Sequence, residues 1–206
     1  MHPYLLLVLG SLLLMSLAAC GEKPTRLYVL TTLAEKPEVA ATSRTSIVVG
    51  PITLPKYLDR PEIVARIANN SLDQAEFDQW GGDLNDNIVR VLIENLSTLL
   101  GTDQVSSYPA KDPTPAKYQI TMDITKFEKD VDGSTVLDAF WSILNPVNNK
   151  VLLRRHSSYR QAVTTAGRSS GAGARQTYDA VVAAMSRDLG ALSRDIATEI
   201  AKLHGL

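Results

Sequence analysis

The stretch "KYQITMDITKFEKD" (117–130) decides the fold. Tyr118, Ile120, Met122 and Ile124 fall at every second position, with polar residues between them. That period sends one row of side chains into a core and the other into water, as in a half-buried strand. Asp132-Gly133 follows, a two-residue hairpin signal. "TVLDAFWSILN" (135–145) alternates again, with Leu137, Ala139, Trp141 and Ile143 on one side. Residues 145–149 turn the chain, and "KVLLRRHSSYRQAV" (150–163) reads as a third long strand. Three strands joined by short turns make an antiparallel meander.

Elements that can cover such a sheet lie on both sides of it. Downstream, "TTAGRSSGAGAR" (164–175) reads as linker or loop, and a helix is predicted from about Gln176 to Leu203. Its apolar stripe is Tyr178, Val181, Val182, Met185, Leu189, Leu192, Ile196, Ile200 and Leu203. Upstream, Asp83 is a helix N-cap, and Leu84, Ile88, Val91, Leu92, Leu96 and Leu99 form a second stripe that Gly101 stops. Asn85, Arg90, Glu94 and Ser97 form the wet face. Shorter strands are predicted at 26–33, 46–54, 62–70 and 75–83, with "DQVSSYP" a strand at best. The run 46–54 is apolar on both faces, which fits a central strand. Residues 34–45 and the proline-rich 109–116 read as loops. The expected fold class is α+β: a mostly antiparallel (mixed) β-sheet with two amphipathic helices packed on one face.

The beginning of the chain has a different character. From Tyr4 to Ala19 it is apolar or small, and it turns polar at Gly21, Glu22 and Lys23. The run is short for a membrane span, which takes about 20 apolar residues, and has the size of a signal-peptide core. It ends Leu17-Ala18-Ala19-Cys20, which looks like the lipobox of bacterial lipoproteins, with an uncleaved signal anchor as the rival reading. In that pattern the cysteine carries an S-diacylglycerol, the leader is cut before it, and the new amino terminus is acylated. Cys20 is the only cysteine, so it has no internal disulfide partner. The expected organisation is a signal peptide at 1–19, a lipidated tether at 20–25 and one domain at 26–206. Gly21 stands where an aspartate resembles an inner-membrane retention signal, which leans the expectation to the periplasmic face of the outer membrane.

Charge and chemistry exclude several classes. With 21 basic and 22 acidic groups, no basic excess points to nucleic acid. The histidines His2, His156 and His204 have no ligand spacing, so no metal site is expected. Ser157 and Ser158 lack a surrounding G-x-S-x-G, and "GAGAR" lacks the ending of a phosphate loop. No cofactor and no enzyme activity are expected. Arg154, Arg155, Arg160, Arg168 and Arg175 read as a solvated strand edge, or as a contact for lipid headgroups or an acidic partner. Trp80 and Trp141 read as sheet-packing residues.

"LPKYLDRPEIV" (54–64) is more distinctive. Pro55 and Pro61 stiffen a connection between two strands. Tyr57 and Leu58 place apolar area in a turn, and Asp59 and Arg60 can close it as a charge-assisted pair. The bland reading is a structural bend. The functional one is a rigid rim presented to another protein, with Tyr57, Leu58 and Arg60 together on the surface at one end of the sheet.

"GPITLPKYLDRPEIV" (50–64), "EFDQWGGDLNDNIVRVLIENLSTLL" (76–100), "VLDAFWSIL" (136–144) and "YDAVVAAMSRDLGALSRDIATEI" (178–200) resemble the ABC-type transport auxiliary lipoproteins, of the PqiC-like kind. The likeness runs from about Arg26 to Leu203. One departure is Gly81-Gly82-Asp83, where relatives often carry Ala-Glu-Pro. The resemblance implies an accessory subunit of an MCE/Pqi-type intermembrane lipid transport system. Its implied partners are a PqiB-like MCE-domain protein, a PqiA-like inner-membrane protein, phospholipid and further copies of the chain. A scaffold or assembly factor for another envelope complex is the alternative.

Overall fold

The computed structural model describes residues 24–33, 45–110, 115–164 and 178–205. The strands are β1 (Arg26–Tyr28), β2 (Ile47–Thr53), β3 (Glu62–Ala68), β4 (Ser71–Trp80), β5 (Val105–Ser107), β6 (Tyr118–Lys129), β7 (Ser134–Asn145) and β8 (Lys150–Ala162). The helices are α1 (Leu84–Leu100) and α2 (Tyr178–His204). The strands form one 8-stranded mixed sheet with two helices on it, an α+β fold.

The meander is its longest part: β6, β7 and β8 pair antiparallel in sequence order. The other side of β6 is shared. β2 runs parallel to its first half, and β3 meets it at Ala65–Lys129. Thus β2 and β3 lie nearly in line beside β6, and residues 54–61 bridge the gap between them. β4 folds back on β3 through Asn69-Asn70, β1 adds parallel to β4, and β5 adds parallel to β2.

The alternation in β6 holds through Ile124 and then slips. The pairing with β7 is irregular between Ile124 and Lys126, so the core row passes from even to odd positions. Phe127, 1% exposed, continues it, and Glu128 is buried as well. On β7, Leu137, Ala139, Trp141 and Ile143 are all buried. Trp80 and Trp141 are core residues, and the Trp141 indole N–H donates to Ser157 Oγ at 3.1 Å.

Helix α1 begins and ends where its capping residues place it. Asp83 accepts from the Asp86 N–H at 3.1 Å, and Gly101 adopts a left-handed φ of 59°. Gly82, in the segment that departs from Ala-Glu-Pro, has φ 125°, a backbone open chiefly to glycine. Leu100 is buried and Leu99 only half-buried, so the stripe ends one residue later than its spacing suggests. In α2, Leu203 is 40% exposed and lies outside the core, because the stripe outruns the sheet beneath it. Tyr178 is half-buried.

The first strand is shorter than its composition suggests. β1 stops at Tyr28 because the next backbone groups are taken by helix side chains. Arg90 donates to the Leu30 carbonyl at 2.6 Å, Ser186 Oγ accepts from Thr31 N at 3.1 Å, and Asn95 Oδ1 accepts from Leu33 N at 2.9 Å. Asn95 also donates to Ser193 Oγ at 3.0 Å, tying α1 to α2. The loops expected at 34–45 and 164–175, and the centre of 109–116, lie mostly or wholly outside the described residues, as do Arg168 and Arg175.

Asp188 of α2 is fully buried. One carboxylate oxygen accepts from the Thr135 hydroxyl at 2.5 Å, and the other has no partner. Burial pushes its pKa up to about 6, against the opposing pull of Thr135, Arg187 and Arg160. The folded form therefore holds a proton that the unfolded form releases between about pH 4 and 6. This contribution to stability is greatest below the unfolded value and falls as pH rises through about 6. Asp188→Asn is expected to remove that decline, gaining about 1–3 kcal/mol at pH 7 relative to pH 4. Denaturant titrations of both proteins across this range check it. Parallel pH profiles would refute the assignment.

Candidate functional site

The distinctive turn sits beside the middle of β6, not at an end of the sheet, since the Tyr57 hydroxyl reaches the Thr125 carbonyl at 3.5 Å. Its rigidity comes from backbone bonds. Leu58 N donates to Pro55 O at 2.9 Å, Asp59 N to Lys56 O at 3.3 Å and Arg60 N to Leu58 O at 2.9 Å. Trp80 N donates to Pro61 O at 2.7 Å, fastening the far end to β4. These bonds replace the expected Asp59–Arg60 ion pair, which is not among the described contacts.

The side chains divide into two groups. Leu58 is 3% exposed and belongs to the core, which corrects the expectation that it lies on the surface. An aliphatic side chain in a turn this close to a sheet gains more by burial than by exposure. Tyr57 is half-buried against the core, and Pro55 is also half-buried. Burial raises the Tyr57 pKa well above the ordinary phenol value, and neighbouring Glu128 raises it further. Asp59 and Pro61 are exposed and Arg60 is half-buried. The surface rim is therefore Asp59, Arg60 and Pro61, with Leu58 and Tyr57 as its footing.

A cavity of about 310 Å³ opens between this rim and the start of α1. Leu54, Leu58, Asp59, Arg60 and Pro61 line one wall, and Gly82, Asp83, Leu84 and Asn85 the other. Asn85 donates to the Ile52 carbonyl at 2.8 Å, which holds the helix start against β2. Arg60 Nε is buried without a hydrogen-bond partner. A buried donor left unmet costs about 1–3 kcal/mol.

Beneath the rim lies a buried polar group that alternation alone does not reveal. Glu128 is fully buried, and Arg66 Nε donates to its Oε1 at 2.7 Å. Arg66 also donates to the Asn69 carbonyl at 3.0 Å. The signal for this pair was the parity change in β6 between Ile124 and Phe127. His156 is exposed on β8, stacked on Phe140 with ring centroids 4.4 Å apart. Among the described residues, no cluster of His, Cys, Asp or Glu has a metal-holding arrangement, and no helix is long and apolar enough to cross a membrane. Cys20 lies outside the described residues.

The geometry sets a stiff rim beside an open groove, with Arg60 Nε unpaired among the described residues, on a mixed α+β sheet. Residues 28–197 match the sequence model of the ABC-type transport auxiliary lipoprotein component, and the chain belongs to that family. The family is one of membrane-anchored envelope proteins that assist transport. A crystal structure of a DUF330-family protein from Xanthomonas campestris superposes with a TM-score of 0.65 at 16% identity, covering 84% of this chain and 93% of that one. A second crystal structure, of an uncharacterized protein, gives 0.66 at 17% identity over 86% and 99%. These likenesses show the fold. A PelC dodecamer from Paraburkholderia phytofirmans gives only 0.39 at 14% identity, over 78% and 94%, too distant to bear on assembly here. No curated protein matches the chain.

Proposed function

We propose that the protein is a lipoprotein held on the periplasmic face of the outer membrane by acylated Cys20, and that it serves an MCE/Pqi-type intermembrane lipid transport system. Its rim docks a PqiB-like MCE-domain partner, itself linked to a PqiA-like inner-membrane protein. Copies of the chain surround the tip of that conduit, so that phospholipid tails pass without meeting water. The role is one of binding and positioning, without covalent chemistry. The observation that carries the reading is the rim itself. Asp59, Arg60 and Pro61 project from a turn fixed by Pro55, Tyr57 and Leu58, and Arg60 Nε lacks an acceptor. A partner carboxylate or carbonyl meets the accessible part of the Arg60 guanidinium, and the prefixed turn limits the entropy lost on docking.

The test is purification of the tagged protein from native membranes in mild detergent, with its companions identified by mass spectrometry. An MCE-domain protein and phospholipid are expected. Arg60→Glu should lower recovery of the partner by at least about tenfold, more than any fall in its thermal midpoint explains. Equal recovery with the variant, or no MCE-domain protein with the parent, would refute the docking assignment.

A further inference from the structure

β8 pairs with β7 alone among the described residues, so the outer edge of this 13-residue strand has no strand partner there. That is about twice the usual strand length. A free edge presents a row of N–H and C=O groups to any extended chain. The side on which they point follows from neighbouring contacts. Ser134 O accepts from Asp130 N at 2.7 Å and so faces β6; the next residue, Thr135, therefore faces β8, and so its partner Gln161 faces β7. Backbone groups alternate sides along a strand. Those of Arg154, His156, Ser158 and Arg160 therefore face outward. Arg187 reaching the Ala162 carbonyl at 3.1 Å from α2 agrees with this parity.

What guards this edge is positive charge, which an acidic strand would satisfy. Pairing with β7 is regular from Leu153 to Ala162, and the strand contains no proline. Residues 150–163 contain no carboxylate but carry Lys150, Arg154, Arg155, His156 and Arg160. Two of the arginines are answered within the fold: Arg155 by Glu199 at 3.7 Å, and Arg160 by Asp130 at 2.8 Å and Asp132 at 3.2 Å. Arg154 is exposed and donates to the Ser142 hydroxyl at 3.3 Å, with no described carboxylate partner. It flanks a groove of about 470 Å³ lined also by Pro51, Thr53, Asp123 and Phe140, and Phe140 is 48% exposed.

We infer that β8 is a docking edge for an extended acidic segment of a partner protein, which joins the sheet as a further strand. Main-chain bonds supply the affinity, and Arg154 with the Phe140–His156 stack selects the side chains. Charge disfavours a second copy as the occupant, because two β8 strands side by side would bring equally basic chains together. The β8 edge is separate from the 54–61 rim, because the rim lies on the β2/β3 side of β6 and β8 lies beyond β7 on the other, while the groove beside Arg154 extends to Pro51 and Thr53 of β2.

The experiment titrates two synthetic peptides of about twelve residues onto the full chain in mild detergent. One alternates glutamate with valine and the other lysine with valine. Amide hydrogen exchange along β8 is the readout. The glutamate peptide should slow exchange at Arg154, His156, Ser158 and Arg160 by at least about tenfold, and the lysine peptide should not. Arg154→Glu should weaken the glutamate peptide by at least about tenfold while leaving the melting temperature unchanged. Absence of slowing, equal effects of the two peptides, or a dimer that already protects β8 without peptide would overturn the inference.

Discussion

Arg66→Ala is expected to destabilise the domain by about 3 kcal/mol, the scale for stranding a buried charge. Glu128 is fully buried, and Arg66 is the cation that meets it at 2.7 Å. Its second oxygen, Oε2, already lacks a partner, so little in the fold replaces the lost guanidinium. Truncating Arg66 leaves an uncompensated carboxylate under the 54–61 turn. Denaturant unfolding measures the loss. The double variant Arg66→Ala/Glu128→Gln should recover much of it, because a buried amide costs less than a buried charge. A double variant as unstable as the single one would show that Arg66 acts through packing or through its bond to the Asn69 carbonyl.

This pair also bears on the rim. Tyr57 stands between the turn and Glu128, half-buried, with its pKa raised by burial and by the carboxylate. Disturbing Glu128 therefore loosens the footing of Asp59, Arg60 and Pro61 without touching them. If the rim docks a partner, Arg66→Ala should weaken that docking along with stability. Arg60→Glu should weaken docking beyond any loss of stability. The contrast separates a positioning role from direct contact.

The meander and both helices were legible because each has a period that one core face enforces. Tyr118 to Ile124, Leu137 to Ile143, and the stripes of α1 and α2 apart from Leu99, Tyr178 and Leu203 satisfy that rule. Asp83 and Gly101 marked the limits of α1 through capping chemistry that acts locally. What the sequence hid was non-local. The backbone of Leu30, Thr31 and Leu33 leaves the sheet for Arg90, Ser186 and Asn95, which lie at least 60 residues away along the chain. The in-line placement of β2 and β3 beside β6 depends on pairing, which composition does not encode. Leu58 shows the limit at the site itself: a turn residue's type indicates whether burial is favoured, but not whether the core lies within reach.

Cys20→Ala is expected to have the largest effect on location and almost none on the fold. The described fold begins at Pro24, and its core cluster begins at Tyr28. The proposed acyl groups each add about 0.8 kcal/mol of membrane affinity per buried CH₂. One chain holds a protein marginally, whereas two or more anchor it stably. Losing all of them should move the protein from the membrane pellet to the soluble fraction by more than about a hundredfold, with an unchanged unfolding curve. The variant must be followed by mass spectrometry, because an uncut leader would itself retain the chain through its apolar run. A cleaved variant that still sediments with membranes, and resists an alkaline wash that strips protein partners, would rule out the lipid tether. Release by that wash would instead assign the residual binding to a docked partner, and the tether would stand as the dominant anchor.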